Sequence, residues 1–235
     1  MRVFGIGDLH LSFAVDKPMD IFGEEWTDHP AKIKKTWQQK VGRDDLVLIP
    51  GDLSWAMRLE EAKPDLNFIG SLPGQKYFIR GNHDFWLSGP KKVRSALDPT
   101  LHLVRFDAHV YQGIGICGVR GWPWPGYPEY GEDNDRKHWD RALERFELSL
   151  TALSKLDWEV AVAMSHYPPL TRERRSQVCE MVSDAGVNWV VYGHLHGEAR
   201  QDAMEGNIGG VEYRCVSADH VGFEPALLFE YDRET

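Results

Sequence analysis

The sequence predicts a mixed α/β (α+β) fold in which strands and helices first alternate and a second group of strands follows. Up to about residue 97, short apolar runs are separated by stretches with helical spacing of apolar residues. Between residues 101 and 119 the runs become shorter and are separated by glycine and aspartate, as in a β meander. A mixed sheet or a second sheet is therefore expected, and 235 residues fit one domain that covers residues 1–235.

The strand predictions rest on runs of apolar and β-branched residues bounded by glycine or polar residues. In chain order they cover residues 2–7, 46–51, 77–79, 102–104, 110–111, 114–117, 160–165, 189–193, 211–215 and 227–231. Five of these runs are nearly free of polar side chains, as expected for strands that are buried on both faces.

The helix predictions rest on apolar residues spaced three or four positions apart. Pro30 marks a helix start, and Ile33 and Trp37 lie four residues apart, so both are expected to face a sheet. Pro64 is expected either to kink a helix over residues 58–68 or to begin a second one. Further helices are predicted for residues 91–97, 136–156 and 172–185.

The composition argues against several classes of protein. The formal net charge of -9 is opposite to that of a protein that holds nucleic acid by neutralising phosphates. No apolar run approaches the ~18 residues of a membrane span or forms a signal peptide, so a cytoplasmic protein without membrane contact is expected. Cys117, Cys179 and Cys215 have no paired spacing, which predicts buried thiols rather than disulfides or a zinc site.

Side chains of the kinds that bind metals follow the ends of five predicted strands. They are Asp8, His10, Asp52, Asn82, His83, Asp84, His166, His194 and His196. Glycine comes just before several of them, at Gly7, Gly51, Gly81 and Gly193, where it allows a sharp turn beside a bulky ion. Ligands of open α/β sheets bind at the carboxyl ends of the strands, so these side chains are expected to converge.

The mixture of carboxylates and imidazoles predicts a centre for borderline metals such as manganese, iron or zinc. Magnesium and calcium sites are nearly all oxygen, and a structural zinc site would include cysteine. Without His83 and Asp84, seven side chains remain, which is more than one open metal site requires and indicates two divalent ions. Asp52 is the natural shared ligand because it stands alone at its strand end and has two oxygens.

These residues resemble the sequence blocks of the calcineurin-like metallophosphoesterases. The blocks of that family read Asp-x-His, Gly-Asp, Gly-Asn-His-Asp/Glu, a single His, and Gly-His-x-His. The corresponding segments are Asp8-Leu9-His10, Gly51-Asp52, Gly81-Asn82-His83-Asp84, Ser165-His166-Tyr167 and Gly193-His194-Leu195-His196. One block alone is weak, but all of them in order are specific. Tyr167 is a departure, because similar small bacterial phosphodiesterases often carry a second histidine there.

The resemblance implies a two-sheet mixed β-sandwich flanked by helices, with a four-layer αββα architecture. It implies that one divalent ion is held by Asp8, His10, Asp52 and His196, and the other by Asp52, Asn82, His166 and His194. His83 would protonate the leaving oxygen or stabilise charge on the phosphoryl group. The implied reaction is hydrolysis of a small phosphomonoester or phosphodiester by in-line attack of a hydroxide that bridges the metals.

Two local features have more than one interpretation. Asp84 is expected to orient the His83 imidazole, to pair with Arg80 or to cap the turn. The segment Trp122–Pro128 contains three prolines and is therefore expected to be a stiff loop. Its aromatic side chains form either a wall for the substrate or an edge packed on the protein's own core.

Two other functions are compatible with the same blocks. A nuclease of the same family would share them, although the acidic net charge and the lack of a basic extension count against it. A catalytically silent scaffold could keep the fold. Such proteins usually lack several metal ligands, and none is missing from this sequence.

Overall fold

Two mixed β-sheets lie face to face between helices in a computed structural model that describes residues 1–232. The strands are β1 (Arg2–Gly5), β2 (Leu46–Ile49), β3 (Gln75–Phe78), β4 (Leu101–Leu103), β5 (His109–Tyr111), β6 (Ile114–Val119), β7 (Val160–Ser165), β8 (Trp189–Tyr192), β9 (Gly206–Ile208), β10 (Val211–Cys215) and β11 (Ala226–Glu230). The α-helices are α1 (His29–Lys40), α2 (Leu59–Ser71), α3 (Pro90–Arg94), α4 (Glu132–Leu153) and α5 (Gln177–Asp184).

Each sheet has parallel strands in its middle and at least one antiparallel strand at an edge. The first sheet has the order β11-β1-β2-β3-β4, in which only β11 runs antiparallel to its neighbour. The second has the order β5-β6-β7-β8-β10-β9, with β5 and β9 antiparallel at its two edges. The parallel strands of a sheet therefore present their carboxyl ends at the same rim.

Alternate side chains of the central strands enter different cores. Val47 and Ile49 of β2 pack with α1, α2 and α3, whereas Leu46 and Leu48 pack against the second sheet. In β7 the alanines face α4 and α5, and the side chains between them face the first sheet. The order is thus helices, sheet, sheet, helices, which confirms the four-layer αββα architecture that the resemblance implied.

The helices lie where the sequence predicted helices, but several begin or end at other residues than predicted. Ile33 and Trp37 of α1 are fully buried, as their spacing predicted. The second helix of the chain, α2, runs through Pro64 as one element, so the expectation of a second helix start there is wrong. Pro64 lies on the exposed face of α2, where water can bind the carbonyl that its missing N–H leaves free. Within residues 1–232, no helix has both the length and the apolar character needed to cross a bilayer.

The strands after α3 do not form the continuous meander that the sequence suggested. Strand β4 pairs parallel with β3 and completes the first sheet. Of β4, β5 and β6, only β5 and β6 form a hairpin, joined at Gln112 and Gly113, which have positive φ angles of 47° and 90°. The change of pattern in the sequence therefore marks the crossing from one sheet to the other.

The proline-rich loop Trp122–Pro128 packs mainly on its own protein. Trp124 and Tyr127 are buried in the core beneath α4 and α5, and the Trp124 indole donates a hydrogen bond of 2.9 Å to the Pro168 carbonyl. Trp122 is partly exposed and stacks on His138. Of the two interpretations, a rigid packed edge describes Trp124 and Tyr127.

Candidate metal centre

The structure brings all seven predicted metal ligands to one rim of the sandwich. Asp8 and His10 follow β1, Asp52 follows β2, Asn82 follows β3, His166 follows β7, and His194 and His196 follow β8. The first sheet thus supplies four of these side chains and the second sheet three. They meet because both sheets direct the carboxyl ends of their parallel strands to this rim.

The side chains form two groups with ligand atoms close enough to share an ion. In one group, ligand atoms of Asp8, His10 and His196 all lie within 4.8 Å of one another. The His196 Nε2 atom is 3.5 Å from Asp8 Oδ1 and 3.4 Å from His10 Nε2. In the other group, ligand atoms of Asp8, Asp52 and His166 meet the same limit.

Asn82 and His194 extend the second group. The Asn82 side-chain oxygen contacts His166 Nε2 and lies 3.1 Å from His194 Nδ1. The backbone N–H of His194 donates to the Asp8 carboxylate at 3.1 Å, which ties the second sheet to the first. Asn82, which directly follows Gly81 after β3, is thereby placed between the two histidines.

The Asp52 carboxylate lies between the two groups. Its Oδ2 atom is 3.8 Å from His10 Nε2 and 3.5 Å from His166 Nε2. Its Oδ1 atom accepts a hydrogen bond of 2.8 Å from the backbone N–H of His83. This position is compatible with the shared ligand that the sequence predicted.

Hydrogen bonds fix which nitrogen of two histidines is free to bind a metal. His166 Nδ1 lies 2.9 Å from the Pro50 carbonyl oxygen, which only accepts, so Nδ1 carries the proton. His196 Nδ1 similarly lies 2.8 Å from Asp219 Oδ1. In both rings Nε2 is therefore the nitrogen that faces the centre, as in metal sites whose histidines are oriented by an outer hydrogen bond.

Burial keeps most of the imidazoles neutral. It lowers the pKa of His166 to about 4 and of His194 to about 3, and it lowers the pKa of His10 well below its ordinary value. Burial alone would raise the pKa of Asp8, but its contacts with His196, His166 and His10 outweigh this and lower it. Neutral imidazoles and an ionised carboxylate are the forms that bind metal, so the donor set suits divalent ions.

The backbone is held in an uncommon conformation at four of the candidate ligands. Asp8, His10, Asp52 and His194 have positive φ angles of 53°, 45°, 53° and 75°. Such a conformation costs on the order of 1–3 kcal/mol at a residue other than glycine and is concentrated at functional sites. Their positions at this rim therefore support a functional rather than a merely structural cluster.

Two glycines are required here for close approach. A Cβ atom at Gly81 would overlap the Asp52 carboxylate, and one at Gly193 would overlap the carboxylate of Asp8. The sequence interpretation that small residues make room beside the ligands agrees with this geometry at both positions.

His83 borders the centre on the side of an open cleft. Its ring is half-buried and packs on Trp55 with the ring centroids 4.3 Å apart. The cleft has a volume of about 370 Å³ and is lined by His10, Met19, Phe22, Trp26, Trp55, His83, His196 and Gly197. The His83 ring is thus placed to meet a molecule that enters beside the metal ligands.

Of the three roles expected for Asp84, the hydrogen bonds of its carboxylate agree with the turn cap. Its fully buried carboxylate accepts hydrogen bonds from the backbone N–H groups of Asp52 at 2.9 Å and Gly81 at 2.8 Å, and from the Trp86 indole at 2.9 Å. It therefore caps the turn and fastens two ligand-bearing loops together, and it does not orient the His83 ring. Asp84 is a positioning residue for the centre.

Asp219 belongs to the centre and was missed in the sequence. It accepts from His196 through Oδ1 and from the Gly197 backbone N–H through Oδ2 at 3.0 Å. Burial alone would lower the pKa of His196, but the hydrogen bonds with Asp219 and Asp8 outweigh it and raise this pKa to about 10. The available signal was the small pair Ser217 and Ala218 before an acid, just after a strand.

Replacing Asp219 with alanine is expected to weaken metal binding by about 10–100-fold, because His196 loses the partner that orients it. With its pKa raised to about 10, His196 of the metal-free protein is expected to be protonated at neutral pH, so metal uptake should release close to one proton from this ring. The variant should release less, since the pKa of His196 falls without Asp219. Titration calorimetry in buffers of different ionisation enthalpy measures both quantities. An unchanged affinity and proton count would show that Asp219 does not act on His196, and Asp219→Asn should restore part of the affinity.

The chain is similar in sequence to known proteins. The model of the calcineurin-like phosphoesterase family matches residues 1–198. The Gene 66 protein of Mycobacterium phage L5 is 34% identical over 77 residues, which are 33% of this chain and 37% of that protein. The Gene 66 protein of Mycobacterium phage D29 is 34% identical over 87 residues, which are 35% of this chain and 40% of that protein. The aligned segments thus span less than half of either phage protein.

The fold is similar to those of solved structures with low sequence identity. The phosphopantetheinyl hydrolase of Mycobacterium tuberculosis has a TM-score of 0.57 at 18% identity, covering 92% of this chain and 88% of that one. A protein of Thermus thermophilus has a TM-score of 0.56 at 14% identity, covering 90% of this chain and 87% of that one. A protein of unknown function from Aquifex aeolicus has a TM-score of 0.50 at 14% identity, covering 96% of this chain and 95% of that one. At these identities the similarity concerns the fold alone.

Proposed function

Because the chain belongs to the calcineurin-like phosphoesterase family, we propose that it hydrolyses a small phosphomonoester or phosphodiester with the help of two divalent metal ions. The observation that carries this proposal is the convergence of seven candidate ligands from both sheets on one rim. Their imidazoles, most of which are neutral, and their buried carboxylates match the chemistry of a divalent metal site.

One ion would be held by Asp8, His10, Asp52 and His196, and the other by Asp52, Asn82, His166 and His194. Manganese, iron and zinc suit this mixture of oxygen and nitrogen ligands. When bound, such ions neutralise charge on the phosphoryl group and make hydroxide available near neutral pH for in-line attack. Asp84 and Asp219 would keep the ligand loops and the His196 ring in place.

His83 would act as the general acid that protonates the leaving oxygen. Its backbone is fixed by the hydrogen bond to Asp52, and its half-buried ring faces the cleft beside the ligands. An imidazole in this position donates a proton to the leaving oxygen as the bond to phosphorus breaks. Its role is then catalytic, while the role of Asp84 is to position the loop that carries it.

The cleft supports a substrate whose leaving group is apolar or aromatic. Besides the histidines, its walls are formed mainly by Met19, Phe22, Trp26 and Trp55. Flat aromatic side chains offer stacking surface to a ring. The volume of about 370 Å³ is at the small end of ligand pockets, which favours a compact ester over a polymer.

The proposal predicts turnover of at least one small ester by the metal-loaded protein. The purified chain would be analysed for bound metal and assayed with p-nitrophenyl phosphate, bis-p-nitrophenyl phosphate and a single-stranded oligonucleotide. We expect hydrolysis of one or both small esters and little hydrolysis of the oligonucleotide. Full metal loading with no turnover of any of the three would favour a silent scaffold, and preference for the oligonucleotide would favour a nuclease.

A further inference from the structure

A second cavity of about 270 Å³ lies between the ends of β3 and β6 and helix α4. None of the residues that line it lines the cleft beside the metal ligands. Its polar lining consists of Arg80, Arg105, Arg120, Arg141, Arg145 and His138. We refer to this cavity as the arginine pocket.

The arginine pocket concentrates positive charge in an acidic protein. The chain has a formal net charge of -9, yet neither aspartate nor glutamate lines the pocket. Elsewhere arginines pair with carboxylates, as Arg94 does with Asp107 and Arg136 with Asp140. In the part of the chain that the structure describes, none of the five pocket arginines forms such a pair.

Aromatic rings, rather than acids, hold three of these guanidinium groups. Arg120 lies over the Trp122 ring at 4.5 Å. Arg105 and Arg145 lie over the Phe106 ring at 5.4 Å and 5.2 Å. Cation–π contacts order the side chains and leave the N–H donors at their edges free for a ligand.

Two donors of the pocket are buried without a partner. Within residues 1–232, the Nε atom of Arg80 and an Nη atom of Arg105 have no hydrogen-bond acceptor. Burial, with the nearby charges of Arg80 and Arg145, lowers the pKa of both Arg105 and Arg120, the latter to about 10. Unpaired buried donors among like charges are unfavourable. An anion in the cavity would remove both costs.

We propose that the arginine pocket binds a phosphate-type oxyanion, separately from the metal centre. The planar N–H forks of several arginines match the oxygens of phosphate with bidentate geometry. At about 270 Å³ the cavity is below the usual range of ~300–1,000 Å³ for pockets that enclose drug-sized ligands. The ligand is therefore inorganic phosphate or one phosphate group of a larger molecule.

The pocket shares backbone segments with the metal centre. Arg80 lies two residues before Asn82, and the Arg120 carbonyl accepts from the backbone N–H groups of His166 at 3.2 Å and Tyr167 at 3.1 Å. An anion that orders Arg80 and Arg120 would thus steady two loops that carry candidate ligands. The same anion could be free phosphate or a second phosphate group of the substrate.

Binding of inorganic phosphate to the full-length, metal-loaded protein tests the proposal without an activity assay. Calorimetry should find two phosphate sites per chain, one at the pocket and one at the metals. Arg145→Gln, an exposed substitution on α4, should weaken the pocket site by about tenfold or more and spare the other. Arg136→Gln, on the same helix but outside the pocket, should leave both sites unchanged.

The Asp52→Asn variant separates this proposal from the proposed function. The pocket site should persist in that variant even when the metal site is lost. If all phosphate binding disappears with Asp52, or if Arg145→Gln and Arg136→Gln bind phosphate equally, the arginine pocket is not an anion site.

Thermal unfolding gives a second test that remains useful if one variant binds poorly for other reasons. Without phosphate, Arg105→Gln should raise the melting temperature on the order of 2–4 °C, because it removes one of the mutually repelling charges. Added phosphate should then stabilise the native protein more than this variant. A lower melting temperature for Arg105→Gln together with equal stabilisation by phosphate would overturn the proposal.

Kinetics distinguish the two sources of the anion, and this arm rests on the proposed function. If the anion is part of the substrate, Arg145→Gln should raise KM for a bisphosphate ester and leave KM for p-nitrophenyl phosphate unchanged. If it is free phosphate, low concentrations should change turnover of p-nitrophenyl phosphate in the native protein but not in Arg145→Gln. Either kinetic effect supports anion binding in the arginine pocket. If neither effect is seen and calorimetry finds no phosphate bound in the pocket, the proposal is contradicted.

Discussion

Replacing Asp52 with asparagine is expected to lower phosphoester turnover by about 10³-fold or more and to remove metal from the protein. The carboxylate lies between His10 and His166, at 3.8 Å and 3.5 Å from their Nε2 atoms. Asparagine has nearly the same shape but no negative charge and only one oxygen, so it serves two cations poorly. The loss of several kcal/mol of charge stabilisation corresponds to a drop of this size.

Metal content by mass spectrometry and turnover of the best ester measure this effect. Asp45→Asn is the matched control, because Asp45 is also a buried aspartate but precedes β2, at the opposite end of the strand from Asp52. It pairs with Arg2 at 2.7 Å, so its replacement should cost stability and leave metal content unchanged. Full metal loading and turnover in Asp52→Asn would contradict the shared ligand.

Replacing His83 with alanine is expected to lower turnover by about 10²–10⁴-fold for esters with poor leaving groups while metal content stays the same. The reason is that the His83 ring faces the cleft, where it would supply the proton. The hydrogen bond from His83 to Asp52 comes from the backbone N–H, which alanine keeps, so the metal ligands stay in place. The loss should be smaller for p-nitrophenyl phosphate, since p-nitrophenolate departs without a proton. Assays of an alkyl and a p-nitrophenyl ester measure the difference.

The pH profile gives His83 a specific signature. A general acid works in its protonated form, so turnover falls as the pH rises through its pKa. Burial lowers the pKa of His83 below the ordinary imidazole value of 6.5. The decrease of kcat/KM with rising pH is therefore expected at a pH below 6.5. The falling limb should be absent in His83→Ala and present in His102→Ala, which replaces a half-buried histidine stacked on Tyr77. Metal loss equal to that of Asp52→Asn would show that His83 is a ligand instead.

The candidate ligands could be predicted because each one follows a strand with a strong local pattern. Strands such as β2 and β7 are apolar on both faces, and in chains of this kind polar side chains after the strand gather at a common rim. Asp219 escaped this logic. Its strand, β10, alternates apolar residues with Glu212 and Arg214, like a strand with one exposed face, yet it pairs parallel with β8.

Short segments were predicted less well than long ones. Strand β4 has only three residues, too few for a period, so its pairing with β3 could not be read from its own sequence. Helix α5 begins at Gln177, five residues later than predicted, because Leu170 and Arg175 form a bridge across a turn instead. In both cases contacts with distant parts of the chain outweighed local preference.

The sequence by itself determined the mixed α/β class and the set of side chains at the strand ends, since the strands and helices follow from the spacing of apolar residues along the chain. The four-layer arrangement was implied by the resemblance to a known family. Only the tertiary structure decided that Asp84 fastens loops, that Asp219 supports His196, and that five arginines surround one cavity. These arrangements join residues that are far apart in sequence. No local period records them, because which side chains meet is fixed by how the two sheets and their helices pack.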